Sequence, residues 1–181
     1  MAEAETPVAL PWHDPNESHT SIRVVVNKNE VQASVPDRLL LCDFLRDYLG
    51  LTALKVACGE GACGACTVVI DGEPARSCTL LAVQVDGSDL VTLEGINAPE
   101  GLTRVQGLCQ ELHALQCGYC TPGWLMTLHS MVERGIDPDS PLVDQYLSGH
   151  LCRCTGYKNI LAAVRNALAG DSVTAPQDEN V

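Results

Sequence analysis

The sequence predicts an α+β chain in two halves: a small mixed sheet crossed by one helix, followed by a compact all-α set of four helices. Three observations predict it. Short β-branched runs separated by turn signals fill residues 22–93, and paired helix start and stop signals recur from Thr103 to Gly170. Between them lies Asn97-Ala98-Pro99-Glu100-Gly101, a Pro/Gly-containing linker. The division is therefore an arm over 1–20, a first domain over 21–97, a second over 98–170 and a polar tail over 171–181.

The elements follow in order. Residues 1–20 are acidic, proline-containing and without periodicity, as expected of a mobile arm. Ile22–Val26 and Val31–Val35 are β-branched and joined by Asn27-Lys28-Asn29-Glu30, which reads as a hairpin. Pro36-Asp37 is expected to open a helix with Asp37 as N-cap. Leu40, Leu41, Phe44, Leu45, Tyr48 and Leu49 then recur at helical spacing, and Gly50 ends it. Thr67–Ile70 reads as a strand with Asp71-Gly72 as its turn, and further strands are expected near Thr79–Val85 and Leu90–Leu93. One helix among these strands is the pattern of a small α+β domain.

In the second half, Thr103-x-x-Gln106 is a capping-box pattern opening a helix to about Leu115. Thr121-Pro122 supplies an N-cap and a first-turn proline for a helix through Arg134, closed by Gly135. Ser140-Pro141 repeats the device for a helix ending at Gly149. Tyr157–Ala169 places Ile160, Leu161, Val164 and Leu168 on one face, with Gly170 after it. Four short helices with tight connections imply a compact bundle. The tail from Asp171 is polar and expected to be disordered.

Composition narrows the function. A formal charge of −12 argues against nucleic acid and anionic membrane surfaces, both of which need a basic footprint. No window approaches the ~18–20 apolar residues of a transmembrane helix. The first residues carry no basic n-region, apolar h-region or twin arginine, so a cytoplasmic address is expected. In a reducing compartment, ten cysteines are metal ligands or buried thiols rather than a disulfide framework.

Eight of those cysteines form two quartets. Cys58, Cys63, Cys66 and Cys78 are spaced C-x4-C-x2-C-x11-C, and the first three match the plant-type [2Fe–2S] spacing. The loop is rich in glycine, which permits positive φ and lets backbone N–H groups point at an anionic cluster. Zinc prefers paired C-x2-C knuckles and fits the x4 gap less well. The second quartet is Cys117-Gly118-Tyr119-Cys120 with Cys152-Arg153-Cys154. A thioredoxin-like pair is disfavoured, because Cys117–Cys120 does not follow a strand in a βαβ pattern. Both pairs are expected at helix N-termini, where free N–H groups favour thiolates. Chemistry alone leaves iron–sulfur and zinc both open here. Cys42 and Cys109 read as buried small hydrophobes. The histidines have no ligand spacing with one another, and only His150 stands close to a quartet. Trp124 reads as core.

The CGEGACGACTV run, the Gln116–Gly123 segment QCGYCTPG and the Leu151–Tyr157 segment LCRCTGY together resemble the small iron–sulfur subunit of the molybdenum hydroxylases. That family includes xanthine dehydrogenase, aldehyde oxidoreductases and aerobic carbon monoxide dehydrogenase. The likeness covers residues 22–168. It implies a plant-ferredoxin-like β-grasp domain followed by a four-helix domain, each with one [2Fe–2S] cluster. It also implies a large subunit carrying a Mo-pterin, with electrons passed on to FAD on a medium subunit or to another acceptor. By this likeness Cys117, Cys120, Cys152 and Cys154 bind the cluster near the pterin, with Gln116 and the Cys154 sulfur touching the pterin itself. The Gly59–Ala62 edge of the first loop would face the flavin. Lys28, Ala53, Ala57 and Ala62 stand where relatives usually carry glycine, and His150 where asparagine is usual. A free two-cluster carrier and a zinc-binding interaction protein are the alternatives.

Overall fold

The computed structural model describes residues 16–96 and 103–170. Residues 1–15 of the arm expected over 1–20, the linker at 97–101 and the tail from 171 lie outside the described residues.

Strands β1 (His19–Val26) and β2 (Asn29–Pro36) pair antiparallel, with β1 starting inside the stretch expected to be arm. The turn has two residues rather than four: Asn27 and Lys28 both have positive φ, 51° and 68°, which matches the twist of the flanking strands. Ile22, Val24 and Val26 point into the core at period two. Strand β3 (Thr67–Ile70) turns through Asp71-Gly72 into β4 (Glu73–Arg76), and β5 (Asp89–Val91) completes the sheet. The order is β2-β1-β5-β3-β4, with β1 and β5 parallel and the other neighbours antiparallel. The sheet is therefore mixed.

Helix α1 is α-helical over Leu41–Asp43 and π-helical over Phe44–Tyr48, and Gly50 ends it with φ +70°. Leu41, Phe44 and Leu45 are fully buried against the sheet. Its start corrects the sequence expectation. Residues 39–41 are held extended against 80–82, with Leu41 N–H on the Leu80 carbonyl at 2.8 Å and Ala82 N–H on that of Leu39 at 2.7 Å. Asp37 caps no helix. Its carboxylate accepts from the Ser18 and Thr20 hydroxyls at 2.6 and 2.7 Å, which hold it below the usual carboxylate range. The strand expected near Thr79–Val85 is also absent. That stretch forms 3-10 turns over Ser77–Thr79 and Ala82–Val85, because it must turn Cys78 inward and then bridge to Leu40 through Leu81. The strand before it, β4, contains Pro74, which an edge position tolerates.

The second half carries α2 (Arg104–Glu111), α3 (Thr121–Glu133), α4 (Pro141–Ser148) and α5 (Lys158–Ala169). The Thr103/Gln106 capping box is formed, at 3.3 and 2.9 Å. α2 stops before Leu115, because His113 takes a left-handed φ of 51° and Ala114 N–H folds back onto the Cys109 carbonyl. Ser140 caps α4 as expected. At α3 the N-cap is Cys120 rather than Thr121, so the cap position is a cysteine of the second quartet.

Two apolar cores result. One is built around Phe44, Leu41, Val68 and Leu90, the other around Trp124, Leu128, Val143 and Val164. Helix α3 lies between them and is buried from Pro122 to Leu128 without a solvent face. Strand β3 answers it: Thr67, Val68 and Val69 are all buried, where a one-faced strand would alternate. Further ties cross the seam. Ser130 Oγ donates to the Gly72 carbonyl at 2.7 Å, and Arg134 pairs with Glu73 at 2.5 Å.

Two substitutions test this packing in opposite directions. A Cβ at Gly123 would collide with the Gly64 carbonyl oxygen, a backbone atom that cannot swing aside. Gly123→Ala is expected to cost about 1–3 kcal/mol and lower the thermal midpoint. Lys28 holds a left-handed conformation that glycine adopts freely. Lys28→Gly is expected to gain about 0.5 kcal/mol, the excess of the left-handed cost over the entropy glycine loses. Calorimetric scans of the loaded protein check both signs.

Candidate metal centres

Local sequence explains the first quartet's shape. Gly59, Gly61 and Gly64 all have positive φ, of 70°, 75° and 77°, so the chain winds around its own cysteine sulfurs. The Glu60 N–H donates to Cys58 Sγ at 3.3 Å and the Gly61 N–H to Cys78 Sγ at 3.3 Å. Backbone N–H donors, from Glu60 first and then Cys63, bring the Cys58 thiol down to about 6. Burial pushes Cys78 up to about 11, and its sulfur shares a hydrogen bond with Cys66. Cys58 shares one with Cys63. The four thiols thus stand as two pairs, Cys58/Cys63 and Cys66/Cys78. Along the loop's outer edge Gly59, Glu60 and Ala62 are exposed, and Ala57 beside them is exposed as well.

The second quartet is paired in the same way across two loops. Cys154 and Cys117 have their sulfurs 3.5 Å apart, and Cys120 shares a hydrogen bond with Cys152. Cys117 and Cys154 are exposed, whereas Cys120 and Cys152 are half-buried. Burial pushes Cys120 up to about 12. Burial also raises Cys152, but the Thr155 hydroxyl and N–H donors outweigh it, and its thiol falls below the usual range. The Cys154 thiol is raised by its hydrogen bond with Cys117. Tyr157, with φ 68°, receives the Cys152 N–H on its hydroxyl at 2.8 Å. Cys120 sits at a helix N-terminus as expected. Cys154 does not, because residues 155–157 intervene before α5. The inner pair borders a cavity of about 500 Å³ between α3, α4 and α5, lined also by Trp124, Leu147 and Ile160.

Gln116 is exposed and adjoins Cys117, one of the two exposed thiols. His150 is 4% exposed, and its Nε2 lies 2.7 Å from Thr127 Oγ1 on α3. Burial, and then the Arg76 guanidinium, push it down to about 3, so it serves as a neutral hydrogen-bonding group. Cys42, Cys109 and Trp124 are buried in the two cores. Burial pushes both spare thiols up to about 12. Sequence reading passed over Arg76 and Thr127, whose neighbours come from distant segments, and over the Tyr157 hydroxyl, although Tyr157 lies inside the motif.

The donor sets fit dinuclear iron–sulfur units. Four thiols in two pairs match two irons with two protein ligands each. Zinc asks instead for four ligands around one point.

Comparison with known proteins agrees. Residues 24–91 match the family model described as 2Fe-2S iron-sulfur cluster binding domain, and residues 92–165 match that described as [2Fe-2S] binding domain. The chain is 45% identical to caffeine dehydrogenase subunit gamma of Pseudomonas sp. (strain CBB1), over 80% of this chain and 89% of that one. It is 43% identical to the nicotinate dehydrogenase small FeS subunit of Eubacterium barkeri, over 81% and 95%. The crystal structure of quinoline 2-oxidoreductase from Pseudomonas putida 86 superposes with a TM-score of 0.77 at 41% identity, covering 84% of this chain and 94% of that one. With two thiol quartets in paired geometry and both cluster-binding domains matched in order, the chain belongs to the small iron–sulfur subunits of the molybdenum hydroxylases.

Proposed function

We propose that the chain is the electron-transfer subunit of a heteromeric molybdenum hydroxylase. In this reading Cys58, Cys63, Cys66 and Cys78 hold one [2Fe–2S] cluster, and Cys117, Cys120, Cys152 and Cys154 hold the other. The observation that carries it is the convergence of four thiols in each half, with Cys117 and Cys154 of the second in contact at the surface. When bound, each cluster supplies one-electron redox chemistry; the chain supplies thiolates, N–H donors and spacing.

The exposed side of the second quartet is assigned to the large molybdopterin-binding subunit, with Gln116 and Cys154 as the pterin contacts. Gln116 beside an exposed thiol pair supports this. The exposed edge of Gly59, Glu60 and Ala62 is assigned to the FAD-binding medium subunit. Electrons then run from molybdenum through the second cluster and the first to FAD or another acceptor on a partner subunit. We read residues 21–97 as a plant-ferredoxin-like β-grasp domain and 98–170 as a four-helix domain, a division that the two separate cores support. No helix among the described residues is long and apolar enough to cross a membrane, and the cysteine usage suits a cytoplasmic address.

A free carrier and a zinc-binding interaction protein are the competing readings. The carrier leaves Gln116 and the exposed second pair without a use, and zinc fits the C-x4-C-x2-C spacing of the first quartet less well.

Purified with whatever binds it, the chain is expected to carry about four Fe and four acid-labile sulfides, two per cluster, with two distinct reduced-cluster EPR signals and co-eluting Mo. Stoichiometric Zn without sulfide would overturn the reading. In the complex, Cys154→Ala is expected to impair electron exit from molybdenum. Cys63→Ala should spare reduction of the second cluster and block the acceptor. Stopped-flow reduction by substrate distinguishes the two, and normal turnover in both variants would contradict a serial path.

A further inference from the structure

The seam between the halves contains a guanidinium that the two quartets do not use. Arg76, on β4, donates to Thr67 Oγ1 on β3 and, at 2.7 Å, to the Gly149 carbonyl at the end of α4. Two residues further on, the Leu151 N–H donates to the Cys63 carbonyl at 2.9 Å. Leu151 adjoins Cys152. A route therefore joins the quartets with a single hydrogen bond as its only non-covalent step: from the Cys63 sulfur through its own carbonyl to Leu151 N–H, then along the backbone to the Cys152 sulfur.

The joint has no slack. A Cβ on Gly64 would stand 2.5 Å from the Gly149 carbonyl oxygen and 2.5 Å from His150 Nδ1. One on Gly149 would stand 2.6 Å from the Arg76 guanidinium. Residues 149–151 are each held separately: Gly149 by Arg76, the His150 ring by Thr127 and Leu151 by Cys63. Only the first of these ties uses a side chain of the sheet half. Arginine suits the place because its planar fork reaches two acceptors at a fixed separation, which a flexible ammonium does not.

We propose that Arg76 is a positioning residue for electron transfer between the two clusters, anchoring Gly149 so that the Leu151 N–H stays on the Cys63 carbonyl. This rests on the reading of the eight thiols as cluster ligands. In the step, the second cluster passes from its mixed-valent to its diferric state while the first passes from diferric to mixed-valent. One electron moves, and no bond or proton does. Coupling through a hydrogen bond falls off far less steeply than coupling through an open gap, so transfer between the clusters depends on keeping this joint closed.

The test uses the assembled complex. After flash photoreduction, cluster-specific EPR on rapidly frozen samples follows transfer between clusters, and the fully reduced resting sample gives their spin–spin splitting. Arg76→Met is expected to keep about four Fe and both signals, to weaken the splitting and to slow transfer by roughly ten- to a hundredfold, the scale on which a small misplacement of reacting partners acts. Arg76→Lys should recover part of the rate. Gly149→Ala keeps the charge but pushes the guanidinium off the carbonyl, and should slow transfer likewise; if Arg76→Met loses iron, this variant alone decides. Arg134→Ala, which breaks the ion pair with Glu73 across the same seam, should transfer at the native rate. Native rate and splitting in an iron-replete Arg76→Met or Gly149→Ala overturn the role of Arg76. Equal slowing in Arg134→Ala overturns it too, by assigning the effect to general loosening. Absence of iron and sulfide from the unaltered chain would instead defeat the ligand reading itself.

Discussion

The burial of helix α3 on all sides over its first two turns, Pro122–Leu128, is the constraint from which the rest of the arrangement follows. A helical segment with no solvent face cannot be shared loosely between two domains. It fixes the sheet half and the helical half as neighbours and sets their separation at van der Waals contact. Gly123 is what allows that contact, because its backbone rests on Gly64 in the first cysteine loop. The same helix starts at Cys120. One element therefore touches the first quartet's loop with its first turn and supplies the second quartet with its cap. The distance between the two thiol sets is a property of helix packing, not of a linker.

The two quartets differ in how they treat their thiols, and the difference is local. At Cys58, backbone donors in a glycine-wound loop favour the anion. At Cys78 and Cys120, burial opposes it. Each quartet thus joins thiols that ionise readily to ones that need a metal to ionise them. Such a set is poorly satisfied empty and well satisfied when metal displaces the protons.

Much of this was readable from the sequence where the signal is local. Glycine spacing, the Thr103/Gln106 box, the Ser140-Pro141 start and Gly170 each act within one turn of chain, and each appears where the pattern put it. The errors came where distant segments decide. Asp37 looked like a helix cap, but Ser18 and Thr20 lie within reach of its carboxylate. Residues 79–85 looked like a strand, but Leu39–Leu41 and the inward turn at Cys78 take that stretch for themselves. The ligand candidates were visible as spacing, yet their pairing was not, since it depends on which sulfurs the folded loops bring together. Arg76 carried no signal at all: its acceptor, Gly149, is 73 positions along the chain.

The pairing of Cys117 with Cys154, 37 positions apart, also bears on how the molecule is made. Three thiols of the first quartet lie in one loop, so their convergence costs little chain entropy and can precede most of the fold. The second quartet needs α3, α4 and the turn before α5 already in place, which makes it a late, non-local assembly. A nascent chain would thus offer a complete first site while the second is still open. Topology thus orders the two sites: the first quartet's thiols converge within local chain, and the second's only once the helical half has packed.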